Sequence, residues 1–247
     1  GMQRAFGIVK RFWYIGLVIL LCIVIGAFML SAYHKVDKTA AQQTSEYLPT
    51  IVLDAGHGGE DGGAVGVNDM QEKDVNLAIT RNLRDMLTAS GFPVVMLRDG
   101  DYSIHDANLH TIKERKASDL RNRLKQINSY ENCIFLSIHQ NHFTEKKYSG
   151  AQMFYSTKTP ESKVLAESLR TAVVSLLQPD NKREIKPATK SIYLLYHAEQ
   201  TAVLAECGFL SNPQEAEKLA SEEYQQQMAF SLYCGLLDYW RQVRSQS

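Results

Sequence analysis

Thr50-Ile-Val-Leu-Asp-Ala-Gly-His57-Gly-Gly-Glu-Asp-Gly-Gly63 runs from a β-branched, apolar stretch straight into a turn crowded with glycine. Downstream, Val75, Ile79, Leu83 and Met86 recur at helical spacing. A strand, a tight turn and a helix in that order form the first unit of an α/β arrangement with a largely parallel sheet. The alternation continues along the chain. Strands are expected at Thr50 to Asp54, Pro93 to Leu97, Cys133 to His139, Ala151 to Tyr155, Ser191 to Leu195 and Ala202 to Glu206. Helical faces are expected from Ala117, Leu120, Leu124 and Ile127, from Leu165, Leu169, Val173 and Leu176, and from Tyr224, Met228, Leu232 and Leu236. The expectation is one α/β domain over residues 49–247, with a mostly parallel central sheet of about six strands flanked by helices. In open sheets of this kind the site gathers beyond the carboxyl ends of the strands, so polar residues at strand ends are the ones to inspect.

The totals narrow the function. With 247 residues, 45% of them hydrophobic, the chain can bury one good-sized core. Lys plus Arg and Asp plus Glu each total 27, and no basic block tracks a phosphate backbone, so nucleic acid is not an expected partner. The cysteines Cys22, Cys133, Cys207 and Cys234 are too scattered for a zinc knuckle or a disulfide scaffold and read as buried free thiols. No G-x-S-x-G elbow supports a serine hydrolase, and no phosphate loop is present.

Residues 12–30 (FWYIGLVILLCIVIGAFML) carry no charge and approach the roughly 20 residues that span a bilayer as a helix. The run is longer than the apolar region of a signal peptide and lacks a fitting cleavage site, so an uncleaved transmembrane anchor is expected. Arg4, Lys10 and Arg11 precede it, which favours a cytoplasmic tail at 1–11 and a catalytic domain outside the cytoplasm. Gly1 ahead of Met2 is not a normal translation start and is set aside as an expression scar. Residues 31–48 are polar, without apolar periodicity, and read as a linker.

Four stretches could carry chemistry. His57 sits at the mouth of the first strand, where the reading is either an incidental turn histidine or a ligand. Glu72 opens the first helix; with Asp69 three residues earlier, a capping box is the stronger reading of this residue taken alone, ahead of a ligand role. His139 ends the strand Cys133-Ile-Phe-Leu-Ser-Ile-His139, with Asn141 and His142 just beyond. A lone histidine is more often a satisfied core residue. Two strand-end histidines with an acidic residue, however, match the His, His, Glu set of a catalytic zinc that keeps one position open. Glu206 closes the apolar run Ala202-Val-Leu-Ala-Glu206, where a carboxylate needs compensation: a buried salt bridge, or a place as general base near a metal-bound water.

Together these residues resemble the zinc-dependent N-acetylmuramoyl-L-alanine amidases of the bacterial cell wall, the group with a D-x-G-H-G-G turn. Asp54-Ala-Gly-His57-Gly-Gly, Glu72-Lys-Asp-Val-Asn-Leu, Ser137-Ile-His139-Gln-Asn141 and Glu206-Cys-Gly-Phe-Leu-Ser-Asn212 match its four blocks in order, from about Thr50 to about Trp240. The resemblance implies that His57, Glu72 and His139 bind Zn2+, that Glu206 is the catalytic carboxylate, and that peptidoglycan is the substrate, with Asn141 a candidate substrate contact. Gln140 and His142 depart from the small residues usual beside Asn141, and Leu97-Arg98 from a common Thr-Arg. Gln140-Asn-His-Phe, Lys147-Tyr-Ser-Gly and Ala205-Glu-Cys-Gly-Phe are most similar to the spore-cortex amidases. Such enzymes work ahead of a muramic acid deacetylase in lactam formation. A membrane-held monomer on the cell-wall or forespore side is the corresponding expectation. A zinc peptidase or deacetylase cutting another wall bond, and an inactive wall-binding scaffold, are the competing readings.

Overall fold

The computed structural model describes residues 19–33 and 48–245, and the chain divides into two compact units at the boundary between Leu48 and Pro49. In the first unit, residues 19–33 form a helix (α1) with exposed apolar side chains such as Ile23 and Phe28. Of the apolar run 12–30, residues 12–18 lie outside the described residues, as does most of the expected linker. No helix among the described residues is by itself long and apolar enough to cross a membrane.

The second unit is a six-stranded sheet with helices on both faces. Its elements are β1 (Thr50–Ala55), α2 (Glu72–Ala89), β2 (Val94–Met96), α3 (Ile112–Asn128), β3 (Cys133–Asn141), β4 (Gln152–Tyr155), α4 (Pro160–Leu176), β5 (Lys186–Pro187), α5 (Tyr193–His197), β6 (Thr201–Phe209), α6 (Pro213–Leu219) and α7 (Glu222–Arg244). Strand order is β2-β1-β3-β6-β4-β5. All neighbours run parallel except β4 against β6, so β4 and β5 together run opposite to the other four strands. The long apolar strands β1, β3 and β6 occupy the centre, as expected for strands covered on both faces. The two edges are held by β2, three residues long, and β5, two residues long.

Side chains alternate between the faces. Val52, Phe135, Ala202 and Leu204 pack with Ile127 of α3 and with Leu194 and Leu195 of α5. On the other face α2 and α4 lie against the sheet and both pack on α7. Leu53, Ile79, Leu83 and Leu165 are completely buried; truncating any one to Ala costs about 2–5 kcal/mol.

Two sequence expectations need correction. Ser191 to Leu195 is not a strand: Tyr193–His197 is a short helix whose Leu194 and Leu195 enter the core, and the strand in this part of the chain is β5, Lys186–Pro187. A short apolar run has no periodicity that separates strand from buried helix, and packing decided for helix. In α3, the expected apolar face is only half right. Ala117 and Leu120 are exposed, while Ser118, Arg123 and Ile127 are buried, because a charged partner for Arg123 waits inside the domain.

Candidate metal centre and catalytic carboxylate

The carboxyl ends of β1 and β3 and the start of α2 meet at one point. His57 lies two residues past β1, Glu72 is the first residue of α2, and His139 sits near the end of β3. One donor atom from each falls within 4.8 Å of the others. His57 Nε2 is 3.1 Å from Glu72 Oε2, and His139 Nδ1 is 2.9 Å from Glu72 Oε1. The two imidazoles stand edge to face with centroids 4.9 Å apart.

This convergence explains the glycines. A Cβ on Gly56 would lie 2.2 Å from the His139 ring, and one on Gly63 would lie 2.5 Å from Glu72 Oε2 and 2.7 Å from His57 Cδ2. At these two glycines the side chains of the cluster pack against bare backbone. His57 itself adopts φ 65°, a left-handed conformation uncommon for a residue with a side chain.

Neighbouring groups orient His57 and Glu72. Asp61 Oδ2 lies 2.9 Å from His57 Nδ1, and Lys116 Nζ holds the other Asp61 oxygen at 2.8 Å. With Nδ1 occupied in this way, Nε2 faces Glu72. Glu72 does not cap its helix: the N-cap is Gln71, and no side-chain capping bond forms. Its carboxylate accepts instead from the backbone N–H groups of Gln140 (3.1 Å) and Ala64 (2.9 Å). Asn76 Nδ2 donates to Glu72 Oε1 (3.3 Å) and to the Gly56 carbonyl (3.1 Å), and is itself met at Oδ1 by Gln140 Nε2 (3.2 Å). Burial works against ionising Glu72, but hydrogen bonds from His139 and His57 outweigh it and hold its carboxyl well below the usual range. Burial likewise disfavours a charged His57, yet hydrogen bonds to Asp61 and Glu72 push it up to about 9. A carboxylate between two imidazoles can seat a cation once the proton that it shares with His57 has left.

Glu206 stands beside this cluster. It is the register partner of His139 on the neighbouring strand, and its Oε2 is buried without a hydrogen-bond partner among the described residues. Burial pushes its carboxyl up to about 7, with the nearby Glu72 adding to the rise and His139 and His57 opposing it. The buried salt bridge that competed for this residue does not form: no Lys or Arg pairs with it among the described residues. A carboxyl that exchanges a proton near neutrality, next to three metal-type donors, suits general acid–base work.

Asn141 closes β3 half-buried; its carbonyl accepts from Leu210 N at 2.8 Å, and its side-chain amide makes no hydrogen bond among the described residues. His142 is exposed. Cys133 and Cys207 are buried, Cys234 is half-buried and Cys22 is exposed, so burial fits only some of the thiols. Asp61, Asn76 and Arg123 escaped the sequence reading. Asp61 lies in the quoted turn, four residues after His57, which was the available signal; nothing in the helical pattern marked Asn76 or Arg123.

Arg123 reaches from α3 into the protein interior. It pairs with Asp54 and with Asp119 (2.7 Å), and its Nη2 donates to the His57 carbonyl at 2.7 Å. Ser137 of β3 donates to the other Asp54 oxygen at 2.6 Å, so the ends of β1 and β3 are tied through one buried carboxylate.

Comparisons with known proteins show the family. A family model described as N-acetylmuramoyl-L-alanine amidase matches residues 51–238. The germination-specific N-acetylmuramoyl-L-alanine amidase of Bacillus subtilis (strain 168) is 39% identical over 196 residues, covering 77% of this chain and 79% of that protein. The N-acetylmuramoyl-L-alanine amidase AmiA of Escherichia coli (strain K12) is 27% identical over 232 residues, covering 77% and 75%. Among solved structures, the CwlD amidase from Clostridioides difficile in complex with the GerS lipoprotein gives a TM-score of 0.75 at 39% identity, covering 78% of this chain and 98% of that one.

Proposed function

Since this chain belongs to the N-acetylmuramoyl-L-alanine amidase family, we propose that His57, Glu72 and His139 hold zinc and that Glu206 carries the proton in hydrolysis of the amide between N-acetylmuramic acid and L-alanine of peptidoglycan. The observation that carries the assignment of residues is the meeting of three donor atoms within 4.8 Å from segments as distant as residues 57 and 139. The donor set fits: two imidazole nitrogens and one carboxylate are the His, His, Glu combination of catalytic zinc sites, and Asp61 leaves Nε2 of His57 free to bind. When bound, zinc supplies Lewis acidity to the scissile carbonyl and lowers the pKa of a water.

Glu206 does the proton work. Its unpartnered Oε2 takes a proton from the attacking water as the carbonyl carbon is attacked, and returns it to the departing L-alanine nitrogen as the C–N bond breaks. A carboxyl poised near 7 can serve both directions of that transfer. Asn141 is the candidate substrate contact; its half-buried position beyond His139 and its uncommitted amide support that reading.

The germination-specific relative supports spore cortex as the setting, where loss of the stem peptide would precede action of a muramic acid deacetylase and lactam formation. The uncharged run 12–30 supports a membrane anchor that keeps the catalytic domain outside the cytoplasm. The lipoprotein found with the similar CwlD amidase suits a membrane-surface location.

Digestion of purified peptidoglycan by the full chain, followed by mass analysis, tests the reading. Intact stem peptides with a free L-alanine amine are expected, and only with metal present. Shorter peptides would make the chain a peptidase, release of acetyl groups alone a deacetylase, and binding without products a scaffold.

A further inference from the structure

Arg98, just after β2, is buried with 1% of its surface exposed, yet no ion pair among the described residues includes it. Its guanidinium is satisfied by backbone carbonyls instead. Nε donates to Ala55 (2.7 Å), Nη2 to Gly56 (3.0 Å) and to Lys73 (2.8 Å), and Nη1 to Gly100 (2.9 Å). Arg123 Nη1 also donates to the Ala55 carbonyl, at 3.1 Å, so two cations share one acceptor. Burial, and then the charge of Arg123, pull the Arg98 pKa below its usual value.

Burying a charge without a carboxylate is costly, and an apolar side chain of similar size is often neutral or stabilising in such a place. The fold alone gives no reason for the arrangement. The four carbonyls do. Ala55 and Gly56 lead directly into His57, and Lys73 follows Glu72, so one rigid fork joins the segments that carry two of the three donors. With Arg123 on the His57 carbonyl, three successive carbonyls, 55 to 57, are held in place. The third of these carbonyls belongs to His57, whose φ of 65° is the left-handed conformation. Asn76 reaches the same Gly56 carbonyl, and Lys73 Nζ ties the Gly59 carbonyl at 2.8 Å, two residues past the imidazole.

We propose that Arg98 is a positioning residue for the metal centre: its planar fork fixes His57 relative to Glu72 before the ion arrives and thereby sets zinc affinity. This rests on the reading of those residues as zinc ligands. Coulomb's law and geometry give opposite signs here. Removing a buried positive charge near a cation site should tighten cation binding by charge alone, whereas losing the fork should weaken it.

The test is zinc affinity of the metal-free full chain, by competition with a chromophoric chelator, for the parent, Arg98→Met and Arg98→Lys, with circular dichroism recording the fold. The parent should bind one zinc; if it binds none, the metal-centre reading fails by itself. Given a binding parent, both folded variants should bind about 10- to 100-fold more weakly, the range for groups that orient ligands. Arg98→Lys keeps the charge and loses only the fork, so it decides the matter if Arg98→Met does not fold. Unchanged or tighter binding in a folded variant overturns the proposal. An Arg98→Lys chain that cannot fold makes Arg98 a residue of the fold and overturns it equally.

Discussion

His139 and Glu206 sit directly opposite one another in the parallel pairing of β3 with β6, which puts a metal-type donor and a free carboxylate on the same face of adjacent strands. Glu206→Gln keeps the shape and removes the proton acceptor. Hydrolysis should fall at least about a hundredfold, with zinc content unchanged by elemental analysis. Near-parental turnover in that variant would remove Glu206 from the mechanism.

The same carboxyl gives a pH signature. Its pKa rises from 4.5 to about 7 on folding, so the folded state binds this proton more tightly than the unfolded one. That contribution to stability is complete below 4.5 and is lost as pH rises through about 7. Glu206→Gln mimics the protonated form, so the metal-free variant should match the parent at the acid end and exceed it increasingly towards neutrality. Urea unfolding of both chains across this range reads the difference; a gap independent of pH would contradict the assignment.

Chelation should abolish activity and added zinc restore it, while His57→Ala and His139→Ala should lower zinc content itself. Full zinc occupancy in either variant would dismiss that histidine as a ligand.

Gly56→Ala places a methyl where the His139 ring lies, 2.2 Å away. Since the neighbour is a ring held by Glu72 and not a free chain end, the variant should lose zinc affinity and activity together, as measured by calorimetry and product release.

Arg123→Ala leaves Asp54 buried and unpaired, with Ser137 as its remaining side-chain partner. Breaking a buried pair from one side costs about 3–5 kcal/mol, which denaturant unfolding should report. Loss below about 1 kcal/mol would mean that water compensates the carboxylate.

The sequence carried the central strands and both ends of the site because each signal was local. β1, β3 and β6 are apolar runs, and the polar residues that stand out are His57 two residues past β1, His139 near the end of β3, and Glu206 within β6. That last strand continues to Phe209, beyond the Glu206 at which it was expected to stop. Glu72 was ambiguous on its own, since an acid at a helix start caps more often than it binds; the structure removes the capping alternative and brings its carboxylate 2.9 Å from His139. What stayed hidden depends on contacts across the fold. Arg123 looks like a solvated helix residue until Asp54, 69 positions away, is brought beneath it. Ser191 to Leu195 offered five residues, too few for a period to appear, so packing against α3 and β6 settled its form.

The shortness of the outer strands has a consequence for life beside a polymer. Three residues of β2 and two of β5 leave almost no unpaired backbone on which a foreign strand could template itself. Copies of this domain crowded together therefore offer one another only short lateral seams among the described residues.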